Sequence, residues 1–164
     1  MDDLSKGRDV QAQALANCPV SRTFDAVGTR SSLLIIREAF FGTRRFQDFT
    51  ERVGIGEAAT AARLKDLTTS GFLEKVPYQE PGQRKRYEYQ LTEKGQDFFT
   101  AIMSLRDWGE TWVSDGHKAP WRFMHKDCGA EVHSVTRCSA GHDVAAADCV
   151  AVRDPNRAAA ERMS

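Results

Sequence analysis

Two kinds of side-chain cluster in this 164-residue chain could do chemistry: cations spaced for phosphate, and cysteine–histidine pairs spaced for a metal. Between Gly28 and Arg45 four arginines (Arg30, Arg37, Arg44, Arg45) stand against one acid, Glu38, and Arg84, Lys85 and Arg86 are consecutive. Three adjacent cations repel one another, so a phosphate among them relieves the repulsion; the bland alternative is a solvated loop tip. His125-x2-Cys128 and Cys138-x3-His142 have the spacing of two knuckles of a small zinc ribbon, and sulfur and imidazole ligands suit a structural zinc. A degenerate ribbon held by a residual hairpin without metal is the competing reading. Cys18 precedes Pro19, where a new helix begins, and a helix N-terminus can activate a thiol. Free cysteine is also among the most buried residue types, so a packing role competes.

Composition narrows these options. The chain carries 23 basic and 23 acidic residues, so any polyanion contact must come from local patches rather than total charge. A 41% hydrophobic and 28% charged composition is that of a globular, core-forming protein. The most apolar run, Leu33 to Ile36, stops at Arg37, well short of a membrane span of about 20 residues. Acids at Asp2 and Asp3 and the lack of a following apolar stretch argue against a secretory signal, which points to the cytoplasm. Glycine-rich phosphate loops, Gly-x-Ser-x-Gly and His-Glu-x-x-His are absent from the sequence, so an enzyme is not expected.

The elements that must position the cations follow from periodicity. Residues 4–16 favour a short helix; Pro19 opens another, with Val20, Phe24 and Val27 on one face before Gly28. Ser31 and Ser32 are candidate caps for a strongly apolar helix that runs to Gly42. Phe46, Phe49 and Val53 mark a short amphipathic helix closed by Gly54, and residues 57–70 form an alanine-rich helix with Leu64 and Leu67 inward. This pair is a helix-turn-helix candidate with Arg44 and Arg45 at the first helix's start. The period then drops to two: residues 72–78, a Pro81-Gly82 turn, and alternating Tyr87, Tyr89 and Leu91 give a β-hairpin with Arg84-Lys85-Arg86 at its tip. Thr92 caps a last long helix with Phe98, Phe99, Ile102, Met103, Leu105, Trp108 and Trp112 on its apolar face.

The fold expected is therefore mainly α with a small antiparallel hairpin (α+β): a winged helix-turn-helix over residues 1–115, a Cys/His-containing zinc-ribbon-like appendage over 116–153, and a disordered tail over 154–164. In such a fold the second helix of the pair can enter the major groove, with the hairpin on phosphates or the minor groove. Ala58, Ala61 and Ala62 would let that helix approach base edges closely, although tight packing in a small core is the alternative. Glu57, Ala58, Thr60, Ala61, Arg63 and Lys65 are the candidate contacts on it, joined by Arg44, Arg45, Arg84, Lys85 and Arg86. Arg63 could instead pair with Asp66. A cavity lined by Phe24, Phe40, Trp108 or Trp112 could host an aromatic effector.

Cys18-Pro19-Val20, Leu33-Leu34-Ile35-Ile36-Arg37, Arg44-Arg45-Phe46, Ile55 followed by Arg63-Leu64, Gly71-Phe72-Leu73, Arg86-Tyr87-Glu88-Tyr89-Gln90-Leu91-Thr92-Glu93-Lys94-Gly95 and Trp108-Gly109 together resemble the HxlR-type branch of MarR-like winged-helix transcriptional regulators. The resemblance spans Cys18 to about Val113. It implies a homodimer joined through the N-terminal and last long helices, which offers two recognition helices and two wings to a palindromic operator. It also implies that Cys18 could sense oxidants through an intersubunit disulfide, as some members of the family do. Five positions in three places depart from that pattern: Gly28-Thr29-Arg30-Ser31 replaces Gly-Gly-Lys-Trp, Gly56 replaces serine, and Thr60 stands where a leucine is usual. In relatives with the appendage the second knuckle is usually Cys-x-x-Cys-Gly, and here Gly141 takes the second cysteine's place, leaving His142 or Cys149 to substitute. The alternatives to a DNA-binding regulator are a thiol or small-molecule sensor with DNA release as its output, and an interaction module that has lost DNA binding.

Overall fold

A computed structural model describes residues 16–117 and 119–152. The helix expected over residues 4–16 lies outside them except for Ala16, as does the tail expected over 154–164. The described chain opens with α1 (Pro19–Val27), whose first position is the proline that needs no amide partner. Next comes α2 (Arg30–Phe40). Its cap is Thr29 rather than Ser31 or Ser32: the Thr29 backbone is extended, its hydroxyl accepts from the Ser32 amide at 3.3 Å, and both serines fall inside the first turn.

The helix-turn-helix follows as α3 (Phe46–Val53) and α4 (Glu57–Thr69). Gly54, at φ 70°, takes the left-handed conformation that ends α3. The hairpin pairs β1 (Leu73–Tyr78) antiparallel with β2 (Arg86–Leu91), so Leu73 lies opposite Leu91 and Tyr78 opposite Arg86. The helix expected after Thr92 is divided in two, α5 (Glu93–Asp97) and α6 (Phe99–Trp112). Gly95 lies so close to the Phe72 carbonyl that a Cβ would collide with it. At the junction the Phe98 amide bonds back three residues to Gly95, and the Phe98 ring stands edge-on to Phe72 at 5.4 Å.

The chain divides into two compact units between Ile102 and Met103, inside α6. The first unit has an apolar centre of Val27, Ile35, Ile36, Phe49, Leu64, Leu67, Phe72, Leu73, Tyr89 and Ile102, drawn from every helix up to α6 except α5, and from both strands. Burying each large side chain of this kind contributes roughly 1.5–3 kcal/mol, so the helices are held mainly by their shared inner faces.

In the second unit the C-terminal part of α6 carries polar bonds that fix the following segment. The Arg106 guanidinium reaches Glu110 at 3.2 Å and Glu131 at 3.0 Å, and the Ser134 amide donates to Asp107 at 2.6 Å. These bonds place residues 103–112 with the appendage. Among the described residues beyond 115, two isolated bridges (Met124 with Glu131, Arg137 with Asp143) and a short 3₁₀ turn, Ala146–Asp148, are the regular structure, so the ribbon-like expectation reduces to single bridges.

Candidate nucleic-acid interface

The physics of α4 sorts its residues into two sides. Thr60, Leu64 and Leu67, spaced by four and three, are fully buried. Ala58, Ala61, Lys65 and Thr69, spaced by three, four and four, form an exposed stripe on the other side, beside Glu57, Ala59 and Asp66. Small side chains over half this stripe leave the helix backbone accessible, and Lys65 is a cation without an ion-pair partner among the described residues. Gly56 caps α4 without a side-chain bond, and Glu57 occupies its first turn, where an acid suits the helix dipole but not a phosphate.

Thr60 does not belong to the outward set. Its hydroxyl donates to the Gly56 carbonyl at 3.2 Å and receives the Thr50 hydroxyl at 3.1 Å, which joins α3 to α4 from inside. Arg63 is half-buried and pairs with Asp66 at 3.1 Å, so the ion-pair alternative is the one formed.

The hairpin tip behaves as its charge suggests. Arg84, Lys85 and Arg86 are all exposed, and no ion pair engages them among the described residues. Arg86 opens β2 opposite Tyr78, so the three cations follow the turn on the β2 side rather than form its apex; the turn itself is ordered by its own bonds, Gln83 amide to Glu80 carbonyl and Gln79 side chain to Gln83 carbonyl, both at 3.0 Å. Arg44 and Arg45 do stand at the start of α3, but each meets a carboxylate of the hairpin: Arg44 with Glu88 at 3.3 Å and Arg45 with Glu80 at 2.7 Å. The hydrogen bond to Glu80, then the attraction of Tyr78, pushes the Arg45 pKa above its ordinary value. Glu80 and Glu88, the partners of these two arginines, are not among the candidate contacts that the sequence singles out. The signal for them lies in the hairpin's length, because two strands alone need support from outside.

Of the four residues expected to line an effector cavity, Phe24, Trp108 and Trp112 are exposed. A groove of about 470 Å³ in the first unit is lined instead by Pro19, Ala26, Phe72 and Phe98, edged by Arg22, Lys94 and Asp97. Cys18 is a half-buried free thiol at the N-cap of α1.

In the appendage each expected histidine lies beside its expected cysteine. His125 Nδ1 lies 3.3 Å from Cys128 Sγ, and His142 Nδ1 lies 3.7 Å from Cys138 Sγ. No three histidine, cysteine, aspartate or glutamate side chains converge as a metal site among the described residues, so His125, Cys128, Cys138 and His142 remain two separate pairs. Cys149 donates to the Ala145 carbonyl at 3.4 Å. Backbone N–H groups of His142 and Ala140 aimed at the Cys138 sulfur hold that thiol below its ordinary pKa.

No helix among the described residues is long and apolar enough to cross a membrane. Residues 26–117 match the HxlR-like helix-turn-helix family. An uncharacterized HTH-type transcriptional regulator of Mycobacterium bovis, Mb3122, is 40% identical over 110 residues, 67% of this chain and 68% of its own. The crystal structure of PA1607, described as a candidate transcription factor, superimposes with a TM-score of 0.73 at 35% identity, covering 85% of this chain and 96% of that one. The redox regulator HypR in its oxidized form has a TM-score of 0.52 at 25% identity over 57% of this chain and 96% of its own. With a helix-turn-helix, a wing and these likenesses together, the chain belongs to the HxlR-like family of winged-helix transcriptional regulators.

Proposed function

We propose that this regulator acts in the cytoplasm as a homodimer on a palindromic operator, with α4 in the major groove of each half-site and the wing tip on flanking phosphates. The observation that carries the reading is the sidedness of α4: an exposed Ala58–Ala61–Lys65 stripe turned away from its buried Thr60–Leu64–Leu67 face, with three wing cations that no ion pair engages among the described residues. A helix about 10–12 Å across with its side chains suits a groove about 12 Å wide when those side chains are small. The exposed Leu105, Trp108 and Trp112 of α6, spaced by three and four, form an apolar face that a second copy would cover, which supports the dimer.

Fluorescence anisotropy on duplex DNA from the gene's own upstream region, repeated across salt concentrations, tests the reading. Affinity should fall steeply with salt. Arg84→Ala with Arg86→Ala should weaken all sequences alike, and should flatten the salt slope by about 0.9 for each phosphate no longer neutralised. Binding that is retained at an unchanged slope, or no binding by the wild-type chain, would count against it; the latter favours an interaction module.

A second reading rests on Cys18 and on the likeness to HypR. Peroxide would join two Cys18 thiols across the dimer and release DNA, both thiol protons and electrons passing to the peroxide to give water. Cys18→Ser should then keep DNA binding under peroxide, and mass spectrometry should show a linked dimer for the wild type alone. Identical behaviour of the two proteins rejects it.

A further inference from the structure

The pairing of Arg44 and Arg45 with wing carboxylates gives these arginines a task other than phosphate contact. Three bonds and one ring contact run from the two residues to the hairpin, and they reach both strands and the loop. The Arg44 carbonyl accepts the Tyr89 amide at 2.8 Å, which adds a rung outside β2. The Arg44 guanidinium meets Glu88 at 3.3 Å, and the Gln90 side-chain Nε2 donates to the same Glu88 carboxylate at 2.7 Å. Arg45 meets Glu80 at 2.7 Å, and its guanidinium carbon lies 5.0 Å from the centre of the Tyr78 ring.

We propose that Arg44 and Arg45 are positioning residues that clamp the wing to the start of α3, so that Arg84, Lys85 and Arg86 are presented at a fixed distance from α4. The proposal rests on the DNA-binding reading above. A two-stranded hairpin is marginal on its own, and its tip carries three like charges that push it away from any compact arrangement. The clamp attaches the hairpin at residues 80, 88 and 89, on either side of the cationic tip. Its two acids are also neutralised by the arginines, which leaves Arg84, Lys85 and Arg86 uncompensated by the carboxylates nearest them.

The sign of one substitution separates this role from direct phosphate binding. If Arg45 were a phosphate ligand held back by Glu80, then Glu80→Gln would free it and tighten DNA binding. A clamp requires the opposite: Glu80→Gln and Arg45→Gln should each weaken operator binding, by about two- to fivefold for a solvent-exposed pair, even though the first removes a negative charge. Both effects should vanish in a background where Arg84, Lys85 and Arg86 are alanine, since a mispositioned wing costs nothing once its tip is silent. In the free protein, hydrogen exchange across residues 79–90 should speed up in both variants.

Tighter binding by Glu80→Gln, or an Arg45→Gln loss that persists in the tip-silent background, overturns the clamp while leaving DNA binding intact. A wild-type chain without affinity for DNA overturns the functional reading first, and this proposal with it. Circular dichroism melting of each variant shows that the winged helix is still folded when affinity is read.

Discussion

The winged helix and the appendage are held by different physics. The first unit surrounds ten buried apolar side chains, five of them with no measurable exposure. From residue 116 onward no described residue is buried, and the appendage is instead fixed by polar bonds to Arg106 and Asp107 on α6. Leu64 and Leu67 give α4 a solid backing, so its outer stripe is presented rigidly, whereas the appendage can change sequence without disturbing an apolar core.

The largest effect should come from attacking that backing. Leu64→Ala should cost about 2–5 kcal/mol of unfolding free energy in urea, since the site is closed on all sides and leaves a cavity. Hydrogen exchange should show α4 and its neighbours losing protection, while the Ser134 amide stays protected to higher denaturant. If both regions release together, the contrast between them is false.

Two glycines sharpen the comparison with opposite signs. Alanine normally gains about 1 kcal/mol over glycine inside a helix. At Gly95 that gain is overwhelmed, because the new Cβ meets the Phe72 carbonyl, a backbone group with nowhere to move; a net loss of about 1–3 kcal/mol is expected in thermal melts. At Gly109 a Cβ meets nothing within 4 Å, so Gly109→Ala should stabilise by about 0.5–1 kcal/mol. A loss at Gly109 would reveal a partner helix passing close to α6.

Much of this arrangement is legible in the sequence because periodicity reports burial. The 3.6-residue spacing of Phe46, Phe49 and Val53, and the switch to alternation at Tyr87, Tyr89 and Leu91, locate α3 and β2 almost to the residue. Thr60 misleads because a polar side chain reads as an outward signal. Its spacing to Leu64 and Leu67, and the leucine usual there in the family, both mark an inward position. The Thr50–Thr60 bond is what makes a hydroxyl tolerable in that place. Arg44 and Arg45 do stand where the sequence puts them, at the start of α3, but their partners are 44 and 35 residues away, and sequence spacing carries no trace of such tertiary pairs. The division inside α6 is hidden for a similar reason. A polar network around one arginine leaves no periodic mark.

That network yields the smallest expected effect, a dependence on pH confined to the second unit. Partial burial pushes the Glu131 carboxyl up, but the hydrogen bond from Arg106, followed by the charges of Arg122, Arg106 and His133, outweighs it and holds the carboxyl below its ordinary range. A carboxylate with a depressed folded-state pKa adds stability that is fully present above its unfolded value and is lost as pH falls through the folded one. The Ser134 amide, bonded to Asp107 beside the same arginine, is the reporter: its exchange protection, corrected for intrinsic rate, should fall between about pH 4.3 and more acidic values. Glu131→Gln should reduce that fall, while core amides of α4 show neither change. A fall of equal size in α4 would mean that acid unfolds the whole chain at once, and the appendage would then owe its order to the winged helix rather than to Arg106.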